Sequence, residues 1–428
     1  MVGARVAVLA VPPTIYLFSN FHRVAPAVVA TDLMQAFSIT AASLGALAAI
    51  YPWVFVGMAL VAGSLVETLG PRRTITGGAT AMAVGSVLFG LAPVFAVAVA
   101  GRLLVGLGAS VVLIAWLTLA AAWYSPRRFA TISGWTQTVG NTGALTASSP
   151  LALAVEAIGW RFTFVLVGAA TLVPALAALL LIRDRPGSAG PAGEPEPRRA
   201  TPSLAEVIAA ILAIVTNVRS WPPVVVAACV YATLISLLGL WGVPYLTQIY
   251  GLGRVAAANT LAWLAIGTVI GSPLIGWLSD RRLGRRKLPF VVSTGLYAAC
   301  WLVLVTPGAA RPPATWLAPL FLLMGLTASG LILVWASVRE VNNPAHVGLV
   351  IGFCNSPIFL AFALLQWLTG VVLDASWTGL ESGGVRIYPE AGYRTAFGVC
   401  LTLAVGSLVM SLFMTETRCR NVWRRAAH

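Results

Sequence analysis

Asn20, Phe21, His22 and Arg23 stand together near the middle of an apolar run over residues 6–30. An ionisable side chain held at bilayer depth costs at least about 2.5–3.5 kcal/mol, so one that persists there marks a functional position. Tyr16, Asn20 and Arg23 are spaced four and three residues apart and share one helix face. No acid faces them from mid-run. Of the 13 Asp and Glu residues, Glu156 comes nearest, about one turn from the end of its own run. A central cation without a facing carboxylate suits an anionic ligand. His22 is the only histidine inside an apolar run, and imidazole titrates near neutrality, so it is the candidate for moving a proton.

Further polar side chains fall at helical spacing on other apolar runs: Gln137 and Asn141, Tyr231, Asn259 and Trp263, and Asn355 with Phe359, Phe362 and Gln366. With Tyr16, Asn20 and Arg23 they form the candidate binding set, although such residues also tie helices together. A metal would need two or more His, Cys or acid ligands together, and catalysis a clustered nucleophile and base. The apolar runs show neither pattern, so the reading is of no metal, no cofactor and no enzyme. Cys229, Cys300, Cys354, Cys400 and Cys419 form no C-x-x-C pair and read as buried thiols.

The elements that position these residues are membrane helices. Apolar residues make up 59% of the 428 and charged residues 9%, whereas soluble domains carry about 25% charged residues. The net charge of +14 sits in short turns rather than along one face, which excludes a nucleic-acid partner. Runs long enough to cross a bilayer occupy residues 6–30, 40–66, 74–92, 95–123, 129–156 and 162–182, then 222–250, 255–279, 288–307, 314–338, 347–373 and 395–415. The reading is thus an all-α integral membrane protein of 12 spans, with an N-terminal six-helix bundle over 1–182 and a C-terminal bundle over 222–428. Between them, 183–221 is a linker whose segment 203–218 has the spacing of a helix lying on the membrane surface. With a cytoplasmic N-terminus, 20 basic residues fall in inside segments and 5 in outside ones, so the positive-inside rule puts both termini in the cytoplasm.

The chain also repeats itself. Gly63-Ser64-Leu65-Val66-Glu67, followed by Gly70-Pro71-Arg72-Arg73, returns 213 residues later as Gly276-Trp277-Leu278-Ser279-Asp280, followed by Gly284-Arg285-Arg286-Lys287. Duplicated bundles with basic turns are the building plan of secondary transporters. The acids Glu67 and Asp280 end helices at the cytoplasmic face, where pairing with nearby arginines would latch the halves closed, making these loops the candidate cytoplasmic gate.

These loops resemble the signature loop of the major facilitator superfamily, with Glu67 where that family usually has aspartate. Gly101-Arg102-Leu103-Leu104-Val105-Gly106-Leu107-Gly108 resembles its R-x-x-x-G-x-G pattern, and Gly159-Trp160-Arg161-Phe162 and Thr415-Glu416-Thr417-Arg418 are also typical. The resemblance covers the whole chain and implies the superfamily fold: two pseudo-symmetric six-helix bundles moving a small solute by alternating access, coupled to protons or a second anion. Arg102 then reads as the partner of Asp32 in an outer latch or proton-linked pair. The implied partners are the lipid bilayer, a small anionic solute, and protons, in a monomer of a bacterial inner membrane. The stretch from Asn20 through Asp32-Leu33-Met34 resembles a bacterial subgroup handling amino acids, organic anions and siderophores. A looser similarity is to magnetosome-membrane members, which would imply iron or an iron chelate. A transporter-like membrane sensor is the alternative of another class.

Overall fold

The computed structural model describes residues 2–59, 61–124, 126–184, 204–306, 311–344 and 347–423. The first half of the chain forms α1 (Val2–Val24), α2 (Ala30–Phe37), α3 (Ala41–Met58), α4 (Val61–Leu69), α5 (Pro71–Gly90), α6 (Phe95–Trp123), α7 (Pro126–Thr146), α8 (Ser149–Ile158) and α9 (Trp160–Leu181). The second half forms α10 (Leu204–Thr216), α11 (Trp221–Ser236), α12 (Gly242–Tyr250), α13 (Arg254–Trp277), α14 (Lys287–Val305), α15 (Ala314–Ala328), α16 (Leu333–Glu340), α17 (Val347–Ala375) and α18 (Glu390–Leu412). The described residues of each apolar run are mainly helical, several runs being built from two consecutive helices. Among the described residues, nine helical stretches are long and apolar enough to cross a membrane. The other long helices, α1, α5 and α7, match the three remaining runs; α5 and α7 carry more Gly, Thr and Arg. α10 falls within the segment expected to lie on the membrane surface, whereas linker residues 185–203 are outside the described residues.

Three local features depart from the sequence reading, each for a local reason. The first run ends at Val24 rather than near residue 30, because Pro26 opens a 3-10 turn over Ala25–Ala27. The short α2 follows it and carries Asp32. α11 and α12 are joined through a π-helical turn at Leu237–Trp241, and α13 ends in another at Leu278–Leu283. A two-stranded hairpin, β1 (Glu381–Ser382) and β2 (Val385–Arg386), turns on Gly383 and Gly384, both at positive φ.

Packing divides the chain into two units that do not follow the two sequence halves. The first comprises Met1–Ala189, Ile235–Ala265 and Ala363–Tyr393; the second comprises Gly190–Leu234, Ile266–Phe362 and Arg394–His428. In the first unit Val8, Ile15, Met82, Val112, Trp116 and Leu119 form the centre of a buried cluster. Glycine sets its helix spacing. A Cβ on Gly78 would stand 2.7 Å from the Gly108 carbonyl oxygen, and one on Gly85 would stand 2.6 Å from that of Gly101, so α5 and α6 cross backbone to backbone. In the second unit a Cβ on Gly267 would stand 2.3 Å from the Leu322 oxygen, bringing α13 equally close to α15.

The R-x-x-x-G-x-G pattern thereby acquires a physical meaning. Gly106 faces Val54 and Tyr51 of α3, and Gly108 faces α5, so both neighbours approach and Arg102 is drawn into the unit. Replacing Gly108 with valine would drive a side chain into the Gly78 carbonyl, 2.2 Å from the position of its Cβ. Overpacking of this kind costs about 1–3 kcal/mol. Gly108→Val is expected to melt several degrees lower in detergent, whereas Gly398→Ala, where a Cβ meets nothing within 4 Å, is expected to melt like the parent.

Candidate functional site

The last turns of α1 carry the polar residues singled out in the sequence. Asn20 is buried and its amide donates to the Tyr16 carbonyl at 2.9 Å. Both residues lie against α7, where a Cβ on Gly140 would stand 2.4 Å from the Tyr16 ring and 2.9 Å from the Asn20 amide nitrogen. Tyr16 and Asn20 therefore belong to a close helix crossing, which Gly143 continues against the Leu17 carbonyl. Asn141 is half-buried beside that crossing, and the Gln137 side chain is outside what the structure describes.

His22 and Arg102 meet one turn further along. His22 is 1% exposed and Arg102 5%. The Arg102 guanidinium donates to the His22 carbonyl at 2.5 Å and lies over the Tyr51 ring, 5.2 Å from its centroid. The Tyr51 hydroxyl is fixed by Ser19, donating to its carbonyl at 3.1 Å. Among the described residues no carboxylate pairs with Arg102, and its Nε and the His22 Nε2 are both buried without a hydrogen-bond partner. The pairing of Arg102 with Asp32 expected from sequence is not made. α2 directs Asp32 elsewhere, and its carboxylate pairs with Arg254 at the start of α13, at 2.9 Å.

Arg23 is half-buried where α1 ends. Its carbonyl lies 3.7 Å from where a Cβ of Gly239 would stand in the π-helical turn, and the amide nitrogen of Gln366 lies 3.8 Å from the same point. Gln366 is 1% exposed and its Oε1 has no partner, while neighbouring Thr369 accepts the Trp241 indole N–H at 2.7 Å. Ser19, Tyr51 and Thr369 were missed from sequence because a hydroxyl in an apolar run gives no sign of which helix it meets.

The remaining candidates have other surroundings. Tyr231 belongs to the second unit and packs edge-on against Phe362, with ring centroids 5.8 Å apart, and against Phe359 at 6.0 Å. Asn355 is half-buried in the same unit. Asn259 and Trp263 are exposed, four residues apart on one face of α13. Among the described residues, no three His, Cys, Asp or Glu side chains gather into a metal-holding group.

The repeated motif is a pair of helix-start devices. Gly70 and Gly284 have φ of +81° and +57°, the left-handed region that favours glycine. After Gly70, the Arg72 N–H donates to Asp184 at 2.7 Å. After Gly284, the N–H groups of Arg286 and Lys287 donate to Glu416 at 3.0 and 3.1 Å. Burial opposes ionisation of Glu416, but the N–H donors of Arg286, Arg418 and Lys287 hold its carboxyl below the usual range. Arg286 is 6% exposed and donates to Glu340 at 2.9 Å and to Asp280. Burial would weaken its protonation, yet its hydrogen bonds to Glu340 and Asp280 hold the guanidinium above its ordinary value. Glu340 was not anticipated as the main partner, and this network lies wholly in the second unit, so it braces one unit instead of bridging the halves. Arg73 and Arg285 are exposed, Gly63 and Gly276 have open space around them, and the Glu67 side chain is outside what the structure describes.

The Major Facilitator Superfamily model matches residues 14–266 and 243–424. The chain belongs to that superfamily. As a superfamily member with these helices it is a multi-pass membrane protein. It is 25% identical over 385 residues to the membrane sensor protein UhpC of Salmonella typhimurium, covering 84% of this chain and 82% of that one. It is 27% identical over 307 residues to the probable nitrate/nitrite transporter NarK2 of Mycobacterium tuberculosis, covering 67% and 72%. It is 24% identical over 423 residues to the gentisate transporter of Corynebacterium glutamicum, covering 94% and 88%. The solved structure of a bacterial homologue of the human lysosomal transporter Spinster, inward-facing and unoccupied, matches with TM-score 0.75 at 17% identity over 99% of both chains. A D-xylose–proton symporter matches with TM-score 0.71 at 16% identity over 97% of this chain and 99% of that one. These structures share the all-α fold of the superfamily.

Removing one side of a buried ion pair strands the other charge and costs about 3–5 kcal/mol. Glu340→Ala leaves Arg286 with Asp280 and is therefore expected to lower unfolding stability in detergent by less than that, about 1–3 kcal/mol, and Arg73→Ala, at an exposed turn position, by less than about 0.5 kcal/mol.

Proposed function

We propose that this protein is a secondary active transporter of a small anionic solute, working by alternating access in a bacterial inner membrane. The observation that carries the reading is the contrast between two buried arginines. Arg286 is surrounded by carboxylates; Arg102 has none among the described residues. The end of α1 offers Arg102 roughly half a negative charge from its carbonyls, and the Tyr51 face adds a weaker attraction. Burial of a full charge needs more than that, and a transported anion supplies it. Arg23 provides a second cation one residue from His22.

His22 is the residue we assign to coupling. A protonated imidazole next to Arg102 is a repulsive pair, and an anion bound there removes the repulsion. Anion and proton binding then favour each other, the requirement for moving them together. The relatives named for nitrate/nitrite and gentisate both act on anions, which supports the same class here. The two six-helix repeats, 1–182 and 222–428, rock about the site, and the basic excess assigns the Gly70 and Gly284 loops to the cytoplasmic face. Asp32, Asp374 and the β1–β2 hairpin then face the periplasm.

Uptake into proteoliposomes with nitrate, gentisate and a series of monocarboxylates tests the reading. Parent protein is expected to accumulate at least one of these anions. Truncating one partner of a buried charge pair costs about 2–5 kcal/mol, so Arg102→Gln is expected to weaken affinity at least about thirtyfold. Undiminished uptake by Arg102→Gln would contradict the assignment. The likeness to a membrane sensor favours a second reading, in which the same site senses its anion. Ligand-dependent stabilisation without uptake by any of the anions would select it.

A further inference from the structure

The start of α3 is held by a carboxylate from the far end of the sequence. Asp374, near the end of α17, accepts the Ala41 N–H at 3.0 Å on one oxygen and the Ala42 N–H at 2.7 Å on the other. The Tyr388 hydroxyl donates to the same carboxylate at 2.7 Å, and Arg386, stacked over Trp377, reaches it at 3.6 Å. A helix start leaves four N–H groups without intrahelical partners. In α3 the Ala41 and Ala42 N–H groups are met by Asp374, with the Tyr388 hydroxyl a second acceptor for Ala41 at 3.1 Å, and the Ser43 N–H by the Thr40 hydroxyl; Leu44 then makes the first intrahelical bond, to the Thr40 carbonyl. The first two N–H groups thus depend on a residue more than 330 positions away.

The helices beneath this contact cross as closely as backbone allows. A Cβ on Gly370 would stand 2.4 Å from the Ala41 oxygen, and one on Gly45 would stand 2.4 Å from the Gln366 oxygen. The two points lie one turn apart on each helix, so α3 and α17 are in direct contact over that turn, with Asp374 at its outer end. Asp32 and Arg254 make a related contact at the start of α13, and Gln35 donates to the Gly383 carbonyl of the hairpin at 2.6 Å.

We propose that Asp374 is the positioning residue that keeps the periplasmic side closed, acting as a releasable carboxylate cap on α3. The inference rests on the alternating-access reading, and it adds a specific closing device. A carboxylate on a helix N-terminus gains from both hydrogen bonds and the helix dipole. When the helices part, water takes over the two N–H groups and the carboxylate, so closure is held firmly and remains reversible. Asp32 with Arg254 assists, but as a partly exposed pair it contributes less.

The test needs no substrate. Spin labels at Ala36 and Leu380 in the cysteine-free full-length protein in nanodiscs report the separation of α2 from the hairpin. The parent is expected to show a dominant short distance. Asp374→Asn keeps the shape and removes the charge, and is expected to raise the population at longer distance about tenfold relative to the short one. Tyr388→Phe, which removes one donor at the edge of the cap, is expected to shift the same way by a smaller factor and serves if Asp374→Asn does not fold. Distance distributions identical to the parent in the folded variants would overturn the proposal. Absence of anion uptake by the parent, with the shift present in Asp374→Asn, would count against the anion reading and leave the latch standing.

Discussion

A charge that leaves water must find another partner, and this chain has few acids with which to meet its basic residues. Arg286 illustrates the compensated case: its guanidinium is buried, and Glu340 and Asp280 close around it. Arg102 is buried to the same extent and is met by one carbonyl, one aromatic face and no acid among the described residues. Gly106 and Gly108 permit the close packing that draws Arg102 inward, and Pro26 ends α1 soon after the His22 carbonyl that it meets. Local backbone chemistry thus buries a cation whose remaining charge, in our proposal, is left to a ligand.

The described acids serve mainly where helices begin or end. Asp184 receives an N–H at the start of α5, Glu416 receives two around the start of α14, and Asp374 receives two at the start of α3. Asp184 follows α9 and Glu416 follows α18, and each caps the helix after a glycine-basic turn. At such positions a carboxylate stabilises a helix and fixes its end without entering the apolar interior. The same chemistry serves for permanent bracing near Gly70 and Gly284 and, in our proposal, for a contact that opens at Asp374.

The membrane helices and the glycine-basic turns between them were legible because apolar run length and helix termination follow directly from bilayer thickness and backbone chemistry. The polar face at Tyr16, Asn20 and Arg23 was legible as a helical face, but not its use: Tyr16 and Asn20 pack against Gly140, a contact that only the position of α7 reveals. Asp32 was given the wrong partner because α2 and the start of α13 converge through tertiary packing, Asp32 and Arg254 standing 222 positions apart in sequence. The partners of Glu340 and Asp374 were not legible for the same reason. Sequence spacing identifies neighbours on one helix; it does not say which other helix they meet.

The central claim is that the charge of Arg102, rather than the shape around it, selects the ligand. The most direct measurement compares thermal stabilisation of purified parent protein by a set of carboxylates with that by their neutral amides, and repeats it with Arg102→Gln. A ligand that binds the native state raises the melting temperature by mass action. The account predicts that a carboxylate stabilises the parent, that its amide does not, and that Arg102→Gln loses the response. Equal stabilisation by acid and amide, or an unchanged response in Arg102→Gln, would contradict it.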